Sequence, residues 1–270
     1  MATIVEPAVC VRQWDWSETS QTVSLFCREF GLLRGLAKGS RREKANFSGG
    51  IELLTLGEIV AIPKVSALAT LTAWDLINPF TGVRRHLDRF YAGMAMLELT
   101  SAGLQEGDPH PALFDSLVEA LGLLAGGEAD ALVTLARYQW ALLSETGSQP
   151  ELELDRRSGK ALAPATLYAF IPALGGFQGV DDGRTGPPGS WLVRSETLKG
   201  LRAVASGAGG APDRAVAGRC VRLLASYARE LLHAELPALK AVEEAVQGST
   251  HAAIPTARVK PVRERTDHPE

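Results

Sequence analysis

Residues 20–44 read SQTVSLFCREFGLLRGLAKGSRREK and contain two strand-like segments followed by a cationic turn. The segment TVSLF alternates polar and apolar side chains, which is the two-residue period of a half-buried strand. Gly31 then leads into LLRGLA, and the glycine and serine of KGSRREK, residues 38–44, favour a turn. The stretch therefore predicts two β-strands and a basic loop beside them.

Strand-like segments also lie on both sides of this stretch. A first strand is predicted from Ile4 to near Trp14, and the segments IELLTLGEIVAI (51–62) and ALATLTAWDLI (67–77) follow the basic loop. About five short strands of this size are what a small, partly open barrel of the OB type requires. An SH3-like barrel stays open as an alternative, because the pattern alone does not separate the two.

Beyond Pro79 the apolar residues recur at helical spacing. Several amphipathic helices bury their apolar faces by packing together, so the pattern predicts a helical domain. Pro237 is expected to kink or split the last long helix. Helices are predicted over residues 82–103, 111–126, 128–146, 195–206 and about 212–246.

The predicted fold class is therefore α+β, with an N-terminal five-stranded OB-fold barrel followed by an α-helical domain. Residues 147–192 are rich in proline and glycine and are predicted to be irregular. The predicted domains are an OB-fold nucleic-acid-binding domain over residues 1–78, a helical domain over 79–248 and a disordered tail over 249–270.

The composition fits a folded protein and excludes several other classes. With 270 residues, of which 46% are hydrophobic and 22% charged, the chain can bury the core of one large domain or two small ones. No apolar run reaches the roughly 18 residues of a membrane span, and we expect no secretory signal. Three cysteines are too few for a disulfide framework or a four-thiolate metal site, so a cytoplasmic protein is expected.

Charge is distributed unevenly, although the net charge of −3 excludes a protein that is basic throughout. From Arg28 to Lys44 six basic residues accompany two acidic ones, whereas residues 99–155 hold ten acidic residues and one basic residue. A basic loop has no role in a core, and it suits contact with phosphate groups. The candidate DNA-binding residues are Arg12, Arg34, Lys38, Arg41, Arg42 and Lys44.

A second excess of basic residues, eight against four acidic ones, lies between Arg194 and Lys240. Three interpretations are open: these residues extend the DNA-binding surface, they bind an acidic partner, or they form a solvated helix face. The sequence does not separate these three interpretations. The candidates for such secondary contacts with DNA or a partner are Arg219, Arg222 and Arg229.

Three aromatic residues lie close to the predicted cations. Trp14 and Trp16 end the first strand, and Phe47 follows the basic loop. Exposed rings beside cations on an OB barrel can stack on bases. The alternative is that Trp14 and Phe47 are half-buried residues of the barrel.

Catalytic signatures are scarce. The sequence has no GxxxxGK[ST] phosphate loop, no GxGxxG after a strand, no GxSxG elbow and no HExxH pair. Its five histidines are scattered, and two of them lie in the predicted tail. These features favour a binding protein over an enzyme.

Residues 4–150 contain an ordered series of segments that resembles the bacterial recombination mediator family RecO. The likeness includes Glu18-Thr19, the TVSLF strand, and Gly31 followed by AKGSRR at residues 37–42. It continues through LATLTAWDLINPF, RRHLDRFYAGMAMLELT and HPALFDSLVEALGLLA, and it thins afterwards. The resemblance implies an N-terminal OB fold, a helical central domain and, in many members, a zinc module.

The sequence departs from the family at that zinc module. The positions of the first cysteine pair hold Asp155 and Ser158, and those of the second pair hold Gly179 and Asp182. A tetrahedral zinc site needs nitrogen or sulfur ligands at about this spacing, and two aspartates do not replace them. We therefore expect a zinc-ribbon-like remnant without zinc, and no other cofactor.

The resemblance implies a role in DNA repair and homologous recombination, through the RecFOR pathway. Such a protein binds single- and double-stranded DNA, anneals complementary strands, works with RecR, contacts the C-terminal tail of SSB and assists RecA loading at the nucleoid. One alternative is a protein-docking adaptor with little DNA affinity of its own. Another is an enzyme whose site uses Asp155, Asp181 and Asp182.

Overall fold

The computed structural model describes residues 3–65, 67–180, 186–207 and 210–251. Its first five strands close into a barrel in the order β1-β2-β3-β5-β4, and β1 pairs with β4 to complete the circle. Neighbouring strands are antiparallel except β3 and β5, which are parallel. This arrangement confirms the predicted OB-type barrel. The strands are β1 (Ile4–Ser17), β2 (Ser20–Cys27), β3 (Gly31–Ala37), β4 (Leu56–Lys64) and β5 (Ala67–Asn78).

The barrel interior is filled by the side chains that alternate inward along each strand. Val23, Leu25, Leu33 and Trp74 are all buried there. Gly57 on β4 is required for this packing, because a Cβ atom at that position would lie 2.5 Å from the ring of Trp74. The polar–apolar alternation of TVSLF therefore reports which residues face the core.

Two strand boundaries differ from the sequence prediction. The first strand continues beyond Trp14 to Ser17, because Asp15 still pairs with Gln21 on β2. The fourth strand begins only at Leu56, since the preceding residues form a turn in which Leu54 has a positive φ of 58°. Leu54 is buried in that turn, so its apolar character reflects packing rather than strand pairing.

In the part of the chain that the structure describes, six α-helices follow the barrel. The predicted first helix starts late, because His86 adopts an extended conformation after a short 3-10 turn. Pro237 splits the predicted last helix, and the break includes His233, whose φ is 47°. The helices are α1 (Leu87–Gly103), α2 (Pro111–Gly126), α3 (Ala131–Glu145), α4 (Ser195–Ser206), α5 (Arg214–Leu232) and α6 (Pro237–His251).

Side chains fix two helix starts. The Asp130 carboxylate accepts hydrogen bonds from the first backbone N–H groups of α3, as an N-cap residue does. Glu98 of α1 accepts from the N–H groups of Ala238 and Leu239 at 2.9–3.1 Å, and so joins α1 to the start of α6. No helix among the described residues is both long enough and apolar enough to cross a membrane.

A small sheet lies within the region that the sequence predicted to be irregular. Its strands are β6 (Leu167–Ile171), β7 (Gly176–Gly179) and β8 (Trp191–Arg194), in the order β7-β6-β8. Phe170 at its centre contacts the rings of Phe177, Trp191 and Tyr227. This aromatic cluster packs the sheet onto α5, and the short strands were too brief to stand out in the sequence pattern.

The barrel packs directly on the helical domain. Val9, Val11, Phe26 and Leu32 belong to the same buried cluster as the helices, and Phe26 meets Phe114 of α2 edge to face. The predicted boundary at residue 248 falls inside α6, which continues to His251. Most of the predicted tail, residues 252–270, lies outside the described residues.

Candidate nucleic-acid interface

Strand register brings two arginines together on the outer face of the barrel. Arg12 on β1 lies opposite Ser24 on β2, and Ser24 lies opposite Arg34 on β3. Val23 and Leu33, their neighbours along the strands, point into the core. Alternation along β3 turns Arg34 outward, and the register shift between Cys10 and Arg12 on β1 places Arg12 on the same side; both side chains are exposed.

The same face continues toward the end of the hairpin formed by β1 and β2. Trp14 lies opposite Thr22, which in turn lies opposite Leu36. Lys38 follows directly after the end of β3, at the start of the basic loop, and it is exposed. We call the outer surface that carries Arg12, Trp14, Arg34 and Lys38 the basic face.

The basic loop, residues 38–44, is held against this hairpin by hydrogen bonds. The backbone N–H of Arg41 donates to the carbonyl oxygen of Thr19 at 3.1 Å. The hydroxyl of Ser40, which is buried, donates to the side-chain oxygen of Gln21 at 2.9 Å. Gln21 also exchanges two hydrogen bonds of 3.1 Å with the backbone of Ile51. This anchoring fixes the loop beside the basic face.

Two of the six predicted cations have acidic partners. Arg41 contacts Asp15 at 2.5 Å, and the Nε atom of Arg34 lies 3.5 Å from Glu106. All four side chains are more than a third exposed, so these pairs are weak. Within the described part of the chain, no carboxylate oxygen lies within 4 Å of the cationic groups of Arg12, Lys38, Arg42 and Lys44.

The aromatic residues near the cations divide into two groups. Trp14 is 45% exposed and Trp16 is 64% exposed. Phe47 is only 4% exposed and packs in the barrel core. Phe47 is therefore a core residue, whereas the two tryptophans face solvent.

A cleft of about 1030 Å³ lies on the helical domain. Arg219 and Arg222 of α5, two of the three candidates for secondary contacts, line it. Two further arginines complete its basic wall, Arg194 at the end of β8 and Arg214 at the start of α5. Its apolar lining consists of Leu87, Tyr91, Leu132, Trp191, Val193, Val242 and other side chains between them.

The arginines of this cleft differ in their partners. Arg214 lies 2.6 Å from Asp130 and 3.6 Å from Asp88. The Nε atom of Arg219 donates to the hydroxyl of Thr197 at 3.2 Å. Arg222 is half-buried and has no carboxylate within 4 Å in the residues that the structure describes.

Arg229 lies apart from the cleft. Its guanidinium forms two hydrogen bonds, of 2.8 and 2.9 Å, with the carboxylate of Glu243 on α6. This partner raises the pKa of Arg229. Arg229 therefore joins two helices, and the structure does not bring it together with Arg219 and Arg222. The excess of basic residues between Arg194 and Lys240 did not distinguish a cleft-lining arginine from one that pairs with a carboxylate.

The residues at the zinc-module positions do not fit a zinc ion. One oxygen of Asp155 accepts hydrogen bonds from the backbone N–H groups of Arg157 and Ser158 and from the Ser158 hydroxyl, at 2.8–3.0 Å. Its other oxygen accepts from the N–H of Gly179 at 2.8 Å. Glycine offers no side-chain ligand, and Asp182 lies outside the described residues. No group of three metal-ligating side chains is found among the described residues.

The three cysteines of the chain are buried, and the described carboxylate of the alternative enzyme site is engaged in hydrogen bonds. Cys10 and Cys27 are fully buried in the barrel, and burial raises the pKa of both thiols. Burial also raises the pKa of Cys220 to about 12, so the reactive thiolate is disfavoured. Asp155 is occupied by its backbone hydrogen bonds, and Asp181 of the alternative enzyme site lies outside the described residues.

Comparison with known proteins agrees with the architecture described above. Family models described as Recombination protein O N terminal and Recombination protein O C terminal match residues 1–80 and 84–240. The protein named DNA repair protein RecO of Rhodopirellula baltica is 32% identical over 202 residues, covering 74% of each chain. The protein of the same name in Rubrobacter xylanophilus is 30% identical over 206 residues, covering 76% of this chain and 82% of its own. The chain belongs to the Recombination protein O (RecO) family.

Proposed function

We propose that this protein is a non-enzymatic mediator of DNA repair and homologous recombination. It binds single- and double-stranded DNA, anneals complementary strands and, together with RecR, assists RecA loading onto SSB-coated DNA in the cytoplasm, at the nucleoid. The proposal is supported by family membership and by one observation, the juxtaposition of Arg12, Arg34 and Lys38 beside an anchored loop that carries Arg42 and Lys44.

The basic face suits a phosphate backbone despite the acidic balance of the whole chain. Arg12 and Lys38 of this face, and Arg42 and Lys44 of the loop, have no carboxylate partner among the described residues. Binding through these four cations need not first break an ion pair. If about four cations neutralise phosphates, the logarithm of the affinity for single strands falls with that of the salt concentration at a slope near 3. Phosphate contacts carry no base information, so little sequence preference is expected.

Annealing of complementary strands requires no nucleophile. Screening two phosphate backbones while the bases stay accessible is sufficient in principle. The buried thiols of Cys10, Cys27 and Cys220 are consistent with this mechanism, which needs no reactive side chain. A screening mechanism also predicts that annealing and DNA affinity decrease together when cations are removed.

The test is charge reversal of Lys38, Arg42 and Lys44 to Glu, with affinity for a labelled single strand measured at several salt concentrations. The expected result is a steep loss of affinity and a lower salt slope. A matched control reverses Lys64, Lys160 and Lys240, which are exposed cations elsewhere in the chain and give the same change of net charge. Equal affinity of the test variant and the parent contradicts the proposed site.

The arginine-lined cleft favours a second, compatible role. A basic wall in which Arg222 has no carboxylate partner among the described residues, next to an apolar lining that includes Trp191, suits an acidic peptide with apolar residues. We therefore propose the cleft as the contact site for the acidic C-terminal tail of SSB. If the parent protein binds that tail but shows no salt-dependent DNA affinity, the adaptor role without DNA binding is the correct one.

A further inference from the structure

Two indole rings face solvent at the end of the β1–β2 hairpin. Trp14 and Trp16 are 45% and 64% exposed, although tryptophan is usually a highly buried residue. Trp14 pairs with Thr22 across the hairpin, and Trp16 lies at a register shift between Asp15 and Ser17, within the last residues of β1. Exposed aromatic residues beside charged ones are a feature of binding surfaces.

Cations lie beside Trp14, and Asp15, which stands between the two tryptophans, pairs with the cation Arg41. Trp14 follows Arg12 by two residues on β1 and lies on the same face. Its cross-strand neighbour is Thr22, two residues before Ser24, which lies between Arg12 and Arg34. Lys38 extends the face on the β3 side of the hairpin. A ligand that contacts the rings therefore also meets these cations, and it has to offer both an apolar flat surface and negative charge.

We propose that Trp14 and Trp16 stack on unpaired bases of single-stranded DNA whose phosphates are held by Arg12, Arg34 and Lys38. This inference rests on the proposed DNA-binding function and adds a means of preferring single strands. Bases of a duplex are already stacked and paired with each other, so they do not offer their faces to the rings. Phosphates, in contrast, are present in both forms of DNA, and the cations bind both.

The charge at the patch argues for a nucleic acid as the occupant. An apolar protein partner would bury the rings but would leave Arg12 and Lys38 without compensation, at a substantial desolvation cost. Neither cation has a carboxylate partner among the described residues, so no existing ion pair would compensate their charge in such an interface. A single strand satisfies the rings and the cations at the same time.

The experiment compares Trp14→Ala and Trp16→Ala with the parent protein on three DNA probes. The probes are oligo-dT, an abasic oligonucleotide of the same length and a duplex, each measured by fluorescence anisotropy. Loss of one stacked base is expected to weaken oligo-dT binding roughly 5- to 150-fold. Binding of the abasic strand and of the duplex is expected to change less than about twofold, with the salt slope unchanged.

Two control variants separate stacking from structural damage. Val5→Ala removes an apolar side chain that is 57% exposed on the same strand, about 30 Å from Trp14 along β1. Its affinity for all three probes should equal that of the parent. Trp14→Phe keeps an aromatic face and should restore most of the oligo-dT affinity.

The inference is overturned if both tryptophan variants bind oligo-dT as the parent does. It is also overturned if they lose affinity equally for oligo-dT and for the abasic strand, because that pattern indicates damage to the phosphate contacts. Failure of the proposed function has a different signature, since the parent itself would then show no salt-dependent affinity for any of the three probes.

Discussion

The Oδ2 atom of Asp155 accepts a hydrogen bond of 2.8 Å from the backbone N–H of Gly179, which joins the loop at Asp155 to the end of β7, 24 residues later. The other carboxylate oxygen closes the first loop by accepting from the N–H groups of Arg157 and Ser158. The Asp155 carboxylate therefore joins the two segments that the family resemblance would connect through zinc, next to a backbone hydrogen bond of 2.8 Å from the N–H of Arg156 to the carbonyl oxygen of Phe177. We call this arrangement the Asp155 clamp.

The first prediction concerns the stability that the Asp155 clamp provides. Asp155→Ala leaves backbone donors in both loops without their acceptor, and we expect a loss of about 1–2 kcal/mol in the free energy of unfolding. Glu128→Gln, which removes an exposed carboxylate with no hydrogen bond among the described residues, is the control. Urea unfolding measures both. A metal chelator should leave the parent's midpoint unchanged, and a lowered midpoint would contradict the expectation that the protein binds no zinc.

The second prediction concerns the pH dependence of the same clamp. The hydrogen bonds from Gly179 and the Ser158 loop outweigh partial burial and lower the pKa of Asp155. A lowered pKa in the folded state means that the stabilisation is complete above the unfolded value near 3.9 and is lost as the pH falls through the folded value. The stability difference between the parent and Asp155→Asn should therefore be constant at neutral pH and shrink below about pH 4. A difference that grows with acidity would contradict this assignment.

The barrel and its basic face were accessible from the sequence because both depend on short-range periodicity. The alternation in TVSLF and LLRGLA fixes which residues point inward, and it therefore also places Arg34 outside. That β1 and β2 are neighbours is the usual arrangement of consecutive strands, but the pairing of Arg12 with Ser24 also depends on a register shift between Cys10 and Arg12 that the sequence does not show. The exposure of Trp14 and the burial of Phe47 were not accessible, because each depends on where a loop packs.

The cleft and the Asp155 clamp were missed because they depend on contacts between distant segments. Arg194 and Arg222 lie on different elements and meet only when the small sheet packs against α5. Gly179 contributes a backbone N–H to the clamp. Almost every residue has such a donor, so the sequence does not indicate which one the clamp uses. The sequence showed that the zinc ligands are replaced, but only the fold shows what takes over their connection.

The third prediction concerns the ion pair that occupies one cation of the basic loop. Asp15→Asn removes the carboxylate that contacts Arg41, so this arginine becomes free to bind a phosphate. We expect tighter binding of single strands and an increase of about 0.7 in the salt slope. Stability should change by less than about 1 kcal/mol, because the pair is largely exposed. Anisotropy titrations at several salt concentrations provide the measurement, and an unchanged slope would place Arg41 outside the interface.

The fourth prediction tests the cleft with a peptide of the SSB C-terminal tail. Arg222→Ala removes an unpaired guanidinium from the cleft wall, and we expect about tenfold or greater loss of peptide affinity. Arg137→Ala, which removes an exposed arginine of α3, is the matched control and should bind as the parent does. Calorimetric titration gives both affinities. Equal affinities for the two variants would show that the tail binds elsewhere.

The last prediction separates structural from binding roles among the basic residues of α5. Arg229→Met breaks a bidentate pair with Glu243, whose side chain is 12% exposed, and leaves that carboxylate without its partner. We expect a loss of about 2–3 kcal/mol in the free energy of unfolding, because the remaining charge is largely buried. Affinity for the SSB peptide, measured well below the unfolding temperature, should stay at the parent value because Arg229 does not line the cleft. Arg222→Ala should show the reverse pattern, and a peptide-binding defect in Arg229→Met at full stability would assign both arginines to one surface.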